Sequence, residues 1–186
     1  MPSKSIPEPW RSFFGSVDAA LTEEVDLHCL GGFVITIVYD LARPTADVDV
    51  IAINPGVEIE SILSLAGQGS ELHRKYKVYL QLVGVASVPH SYEERLTEIS
   101  RGTFERLSLF ALDPYDLALS KLERNTQRDR DDVRYLARKV PLDLDVLQKR
   151  YQRELRPCLG NPEREDLTLR LWIEAVEEER AEQLPG

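Results

Sequence analysis

Two aspartates, Asp47 and Asp49, stand inside the otherwise apolar run Ala46 to Ile53, and few sequence features restrict a fold more sharply. Side chains alternate along a strand at about 3.3 Å per residue, so positions i and i+2 project from one face and these carboxylates emerge roughly 7 Å apart. Like charges held this way repel unless a cation lies between them. Upstream, Val25 to Leu30 alternates as a short strand and runs directly into Gly31-Gly32, which opens the apolar segment Phe33 to Leu41. The spacing predicts a strand, a glycine turn, a buried helix, a break at Arg43-Pro44-Thr45 and a second strand over Ala46 to Ile53, with Val48, Val50 and Ala52 facing away from the aspartates.

Around this segment the pattern predicts further elements. A first amphipathic helix follows residues 1–9, whose Pro/Ser-rich composition predicts a mobile segment, with Trp10, Phe13, Phe14, Val17, Ala20 and Leu21 on its apolar face. Val57 to Ala66 and Glu71 to Tyr76 read as helices, Val78 to Val88 and Phe104 to Leu112 as strands, and Pro89 to Gly102 as irregular. From Asp113-Pro114 onward the chain reads helical: Tyr115 to Asn125, Asp131 to Lys139, Asp143 to Leu155 and Glu163 to Gln183. The expectation is an α+β fold, a small mixed sheet with flanking helices over residues 1–112 and a helical region over 113–186 packed on that core, leaving a cleft for a ligand.

Composition limits the function classes. The net charge of −9 argues against a protein whose whole surface grips nucleic acid. Yet the charge is segregated: Lys121 to Arg156 holds 11 Lys/Arg against 7 Asp/Glu, and Glu163 to Gly186 holds 3 against 8. Cys29 and Cys158 stand far apart and His28, His73 and His90 show no ligand spacing, which argues against zinc. No apolar run of about 18 residues and no secretory leader is present, so the expected location is the cytoplasm, with no membrane partner.

The Asp47/Asp49 pair points to divalent-metal chemistry, because Mg²⁺ takes hard oxygen ligands, keeps several waters and is satisfied by one or two carboxylates on a rigid strand. Gly31-Gly32 between strand and helix exposes N–H groups and the positive helix end to an anion. Downstream, Leu117, Lys121 and Arg124 share a helix face that either meets a cleft or lets a lysine stem lie over the core. Asp129 and Asp132 fall on the inward side of the next helix, where at least one would serve as a cap. Arg128 is a salt-bridge partner for Asp129 or a phosphate ligand.

Together, the strand-GG-helix-turn-strand order with T-A-D-V-D-V resembles the minimal polymerase-β-like nucleotidyltransferases. The later segment D-L-A-L-S-K-L-E-R-N-T-Q-R-D-R-D-D-V is similar to that of the AbiEii-type nucleotidyltransferase toxins and related proteins. The likeness covers about Leu27 to Leu136. It implies an α+β nucleotidyltransferase fold, a Mg²⁺ cofactor, and transfer of a nucleoside monophosphate from an NTP to an RNA or protein acceptor. In several toxin members that acceptor is a tRNA 3′ end, which also implies a cognate antitoxin or a phage-defence setting. By position, Gly31, Gly32 and Thr45 would hold the triphosphate with Lys121 and Arg128, Asp47 and Asp49 would hold metal, and Lys121 and Asp129 would complete the catalytic set. The sequence departs from the superfamily at its third carboxylate: the strand Val78 to Val88 offers only Gln81, and neither Glu105 nor Asp113 matches. That departure supports an alternative, a catalytically reduced nucleotide-binding or partner-binding module of the same fold. A D-x-D glycosyltransferase is disfavoured, since the Lys/Asp helical motif has no place in one.

Overall fold

The computed structural model describes residues 6–56, 59–84 and 87–182. It divides into two compact units, Met1–Ala86 with Arg95–Leu112, and Ser87–Glu94 with Asp113–Gly186. The result is an α+β protein with a five-stranded mixed sheet flanked by helices.

In the first unit, helix α1 (Trp10–Ala20) buries Trp10, Phe13, Phe14 and Val17, the i, i+3, i+4, i+7 set of one helix face. Strand β1 (Val25–Leu30) leads without a gap into helix α2 (Gly31–Tyr39), which is followed by strand β2 (Asp47–Asn54). Helices α3 (Ile59–Ala66) and α4 (Glu71–Tyr76) come next, then strands β3 (Tyr79–Leu82), β4 (Thr97–Glu98) and β5 (Leu107–Ala111). The strand order is β3-β2-β1-β5-β4, with β1 antiparallel to β2 and parallel to β5, β3 parallel to β2, and β4 antiparallel to β5.

Burial along β1 does not alternate. Both faces are covered, so His28 is buried along with Leu27 and Cys29, and its imidazole meets Asn54 and the edge of Phe110. Helix α2 stops at Tyr39, earlier than the expected Leu41, because Asp40 takes a left-handed conformation (φ 61°) and its N–H closes on the Ile35 carbonyl. Trp10 and Phe14 meet Phe33 at ring-centroid distances of 5.8 and 5.7 Å, joining α1 to α2.

Strand β2 departs from the expected alternation at one point. Cys29 pairs with Val50 but His28 pairs with Ala52, leaving Ile51 as the extra residue of a bulge. The buried series therefore runs Val48, Val50, Ile53, and Ala52 is only half-buried. Strand β5 begins at Leu107 and not at Phe104, because the N–H groups of Glu105, Arg106 and Leu107 all donate to the Asp18 carboxylate at 3.1, 2.7 and 2.9 Å. Strand β3 covers only part of the predicted Val78 to Val88, of which residues 85 and 86 lie outside the described residues, as do Val57 and Gln183 at the ends of two predicted helices.

The second unit is helical: α5 (Pro114–Leu119), α6 (Gln127–Lys139), α7 (Leu144–Arg150) and α8 (Glu163–Glu182). Asp113 caps α5, its carboxylate accepting from the Asp116 N–H at 2.8 Å with Pro114 in the first position, as its sequence dictates. Helix α5 ends at Leu119, well short of Asn125, which itself has a positive φ of 43°. Leu117, Leu122, Leu136, Leu147, Tyr151, Leu169 and Trp172 fill the core of this unit. No helix among the described residues is long and apolar enough to cross a membrane.

Candidate functional site

In the first unit the site is built from the junction of β1 with α2 and from the neighbouring strand β2. Asp47 and Asp49 are half-buried and alternate with the fully buried Val48 and Val50, so both carboxylates leave one face of the sheet. Strand β2 is flanked only by β1 and β3. Opposite Asp49 stand Leu30 on one side and Gln81 on the other, and opposite Asp47 stands Tyr79.

Gly31 follows Leu30 and therefore lies beside Asp49. It is glycine for two separate reasons: its φ is +70°, and a Cβ there would run into the Asp49 carboxylate. The backbone at the start of α2 and a strand carboxylate thus share a space that any other residue would fill. Leu30, the residue before the helix, supplies no side-chain cap to the first turn of α2, whose positive end favours an anion. Thr45 lies at the other aspartate, where its hydroxyl donates to Asp47 Oδ1 at 2.9 Å. Cys29 sits directly behind the site, but burial and then the nearby Asp49 charge push its thiol far up, so it stays protonated and inert as a nucleophile.

Two carboxylates on one face, with the amide of Gln81 beside them, form a hard-oxygen donor set that suits Mg²⁺, an ion that fills its remaining positions with water and phosphate oxygens. Glycine at position 31 lets the Asp49 carboxylate lie against the backbone at the start of α2. Among the described residues, no group of three or more His, Cys, Asp or Glu side chains is placed to hold a metal ion, so any cation here rests on two carboxylates.

The second unit gathers the other predicted residues into one buried ionic cluster. Lys121 is 3% exposed, and its Nζ lies 2.8 Å from Asp132 Oδ2 and 3.6 Å from Asp129 Oδ1. Asp129 takes two parallel hydrogen bonds from Arg124, Nε to Oδ2 at 2.9 Å and the terminal nitrogen to Oδ1 at 2.6 Å. It also accepts from the Thr126 N–H and hydroxyl while its own N–H donates to the Thr126 hydroxyl, a reciprocal cap at the start of α6. Burial pushes the Asp129 carboxyl up, but the hydrogen bonds from Arg124 and Thr126 and the Lys121 charge outweigh it and hold the carboxyl well below the usual range.

Lys121 is thus neither solvated nor lying over the core, since its ammonium is buried among carboxylates. The guanidinium paired with Asp129 is that of Arg124, whereas Arg128 is exposed on α6. Asp132, which sequence reasoning left as an inward aspartate, is the nearest partner of Lys121. The Thr-x-x-Asp spacing from Thr126 to Asp129 is the sequence signal for the cap; the lysine–aspartate pairing has no such signal, because it joins a turn to a helix eleven residues on. His90 is exposed, as a loop histidine without a role would be.

A strand, a glycine turn and a helix followed by a strand bearing paired carboxylates, on a small mixed sheet with helices around it, define a nucleotidyltransferase-like fold. The chain belongs to a family described as nucleotidyltransferase of unknown function (DUF6036), whose model matches residues 17–180. Nucleotidyl transfer in general, and a nucleotide as substrate, follow from that membership. Comparison with curated proteins and with solved structures returned no match.

Proposed function

We propose that the protein is a Mg²⁺-dependent nucleotidyltransferase of the AbiEii-like kind, moving a nucleoside monophosphate from an NTP onto a hydroxyl of an RNA, such as a tRNA 3′ end, or of a protein. The biological setting in this reading is the toxin half of a toxin–antitoxin or phage-defence pair. The observation that supports it is the close approach of the Gly31 turn and the Asp49 carboxylate, a glycine turn and a strand carboxylate side by side.

In this reading the uncapped start of α2 holds the triphosphate by its N–H groups, with Gly31 and Gly32 letting the phosphates approach the backbone. Asp47 and Asp49 hold the Mg²⁺, and Thr45 fixes the Asp47 carboxylate by its hydrogen bond. When bound, the cation neutralises charge building on the phosphate oxygens. The acceptor hydroxyl oxygen bonds to the α-phosphorus, the bond to the β-phosphate breaks, pyrophosphate leaves, and the hydroxyl proton passes to solvent. Lys121, Asp129 and Arg128 complete the set by family likeness, with the basic stretch Lys121 to Arg156 guiding an acidic acceptor.

Incubation with α-labelled NTPs, Mg²⁺ and total RNA or protein is the test. Label passes to one acceptor class, and Asp49→Ala abolishes transfer and relieves toxicity on expression. No transfer with any NTP, together with toxicity unchanged by Asp49→Ala, overturns the reading. The placement of Gln81 opposite Asp49 favours a second one, a nucleotide-binding module without turnover. Calorimetry showing NTP binding with no product over hours would select it.

A further inference from the structure

The face that carries Asp47 and Asp49 is bounded by three ladder neighbours, and only one of them ends in an oxygen that suits a hard cation. Leu30 is apolar and Tyr79 presents a phenol, but Gln81 carries an amide. Its register is direct: Val48 pairs with Leu80 and Asp49 with Gln81 on parallel strands. Val48 and Leu80 are both buried, while Asp49 and Gln81 both lie on the more open face. Neighbouring strands lie about 4.8 Å apart, so the side chains of an aligned pair stand within reach of one ion.

Among the described residues, no other carboxylate shares that place on the sheet. Strands β4 and β5 are separated from β2 by β1, so Glu98 cannot stand beside Asp49 on the ladder. Glu105 lies before β5, where its N–H donates to Asp18. Asp113 belongs to the second unit, where it caps α5 and pairs with Arg150 at 2.7 Å.

We propose that the Gln81 amide oxygen is the third protein ligand of the cation held by Asp47 and Asp49, and that the site therefore binds a single divalent cation. This inference rests on the metal-dependent reading above and specifies its ligand set. Two carboxylates and one neutral oxygen carry a charge of −2, which balances one divalent ion. A second ion about 3.5–4 Å from the first requires further anionic oxygen to hold the pair together. A glutamate or aspartate at position 81 would supply it, and the amide does not.

Manganese stands in for magnesium in the test, because free Mn²⁺ is counted directly by its electron paramagnetic resonance signal. The full-length protein is titrated with and without a non-hydrolysable NTP analogue. Wild type takes up one Mn²⁺ per chain. Gln81→Ala weakens that binding several-fold, and Gln81→Glu tightens it about ten-fold and adds a second equivalent, since ligand charge count governs affinity for hard cations. Gln81 is exposed on the last named strand of the sheet, so both variants keep the fold, which circular dichroism verifies. Wild-type uptake of two ions, or Gln81 variants that match wild type in affinity and stoichiometry while Asp49→Asn loses Mn²⁺, overturns the inference and leaves the metal-dependent reading standing. Absence of Mn²⁺ uptake by wild type overturns both.

Discussion

Replacing Lys121 by methionine gives the most stringent test of the buried ionic cluster. The methionine matches the lysine stem in volume, so the change removes a charge and little packing. Asp129 keeps both Arg124 hydrogen bonds and those of Thr126, and the loss falls on Asp132, 1% exposed and deprived of an ammonium at 2.8 Å. A buried carboxylate without its cation costs about 3–5 kcal/mol.

The destabilisation of Lys121→Met is therefore about 3 kcal/mol, at the lower end of that range because Asp129 keeps its other hydrogen bonds. Adding Asp132→Asn recovers most of it, because the amide needs no counter-charge. The two tryptophans make the measurement specific: Trp10 lies in the first unit and the buried Trp172 in the second. Urea unfolding followed by Trp172 fluorescence in a Trp10→Phe background reads the second unit, provided the same background serves as reference. A loss below 1 kcal/mol refutes the reasoning. So does a double variant no more stable than Lys121→Met alone.

Two further outcomes follow from the same coordinates. Gly31→Ala meets both a positive φ and the Asp49 carboxylate, so it lowers stability by about 1–2 kcal/mol from the backbone alone, or about 2–8 °C in Tm, and weakens Mn²⁺ binding; wild-type melting and Mn²⁺ binding in this variant refutes the cradle. The depressed pKa of Asp129 sets an acid-stability slope: its stabilisation is complete above the unfolded value of about 3.9 and is lost as pH falls through the native value, so Asp129→Asn flattens the slope below about pH 4. An unchanged slope in acid unfolding followed by Trp172 counts against that assignment.

The local part of the site was readable from sequence, because strand, glycine turn, helix and Asp-x-Asp strand succeed one another within thirty residues and each rests on short-range rules. Asp113-Pro114 was readable for the same reason, as one cap and one fixed φ. What escaped were effects set by residues distant in the chain. The alternation expected in β1 disappears because both faces of the strand are covered, and His28 is buried accordingly. The start of β5 is fixed by Asp18, some ninety residues earlier, and the Ile51 bulge shows only in the pairing of two strands. Lys121 looked like a residue on a helix face because its spacing fits one, but the helix ends before it and the side chain turns inward to Asp132. Periodicity reports which face a residue would occupy if the element continued; it does not report where an element ends.

The position of β1 also orders events as the chain leaves the ribosome. One edge of β1 is closed by β2 after a short helix and turn, a local pairing with little loop entropy to overcome. Its other edge pairs Val25 with Leu107 and stays open until that distant segment has been made. During that interval the hairpin-like unit that carries Gly31 and the two aspartates exposes an apolar strand edge, a template for a foreign strand or for a second copy of itself. Nascent chains stalled before Leu107 are therefore where aggregation should concentrate, and a charged substitution on the outer edge of β1 would protect them only by spoiling the sheet they are waiting to complete.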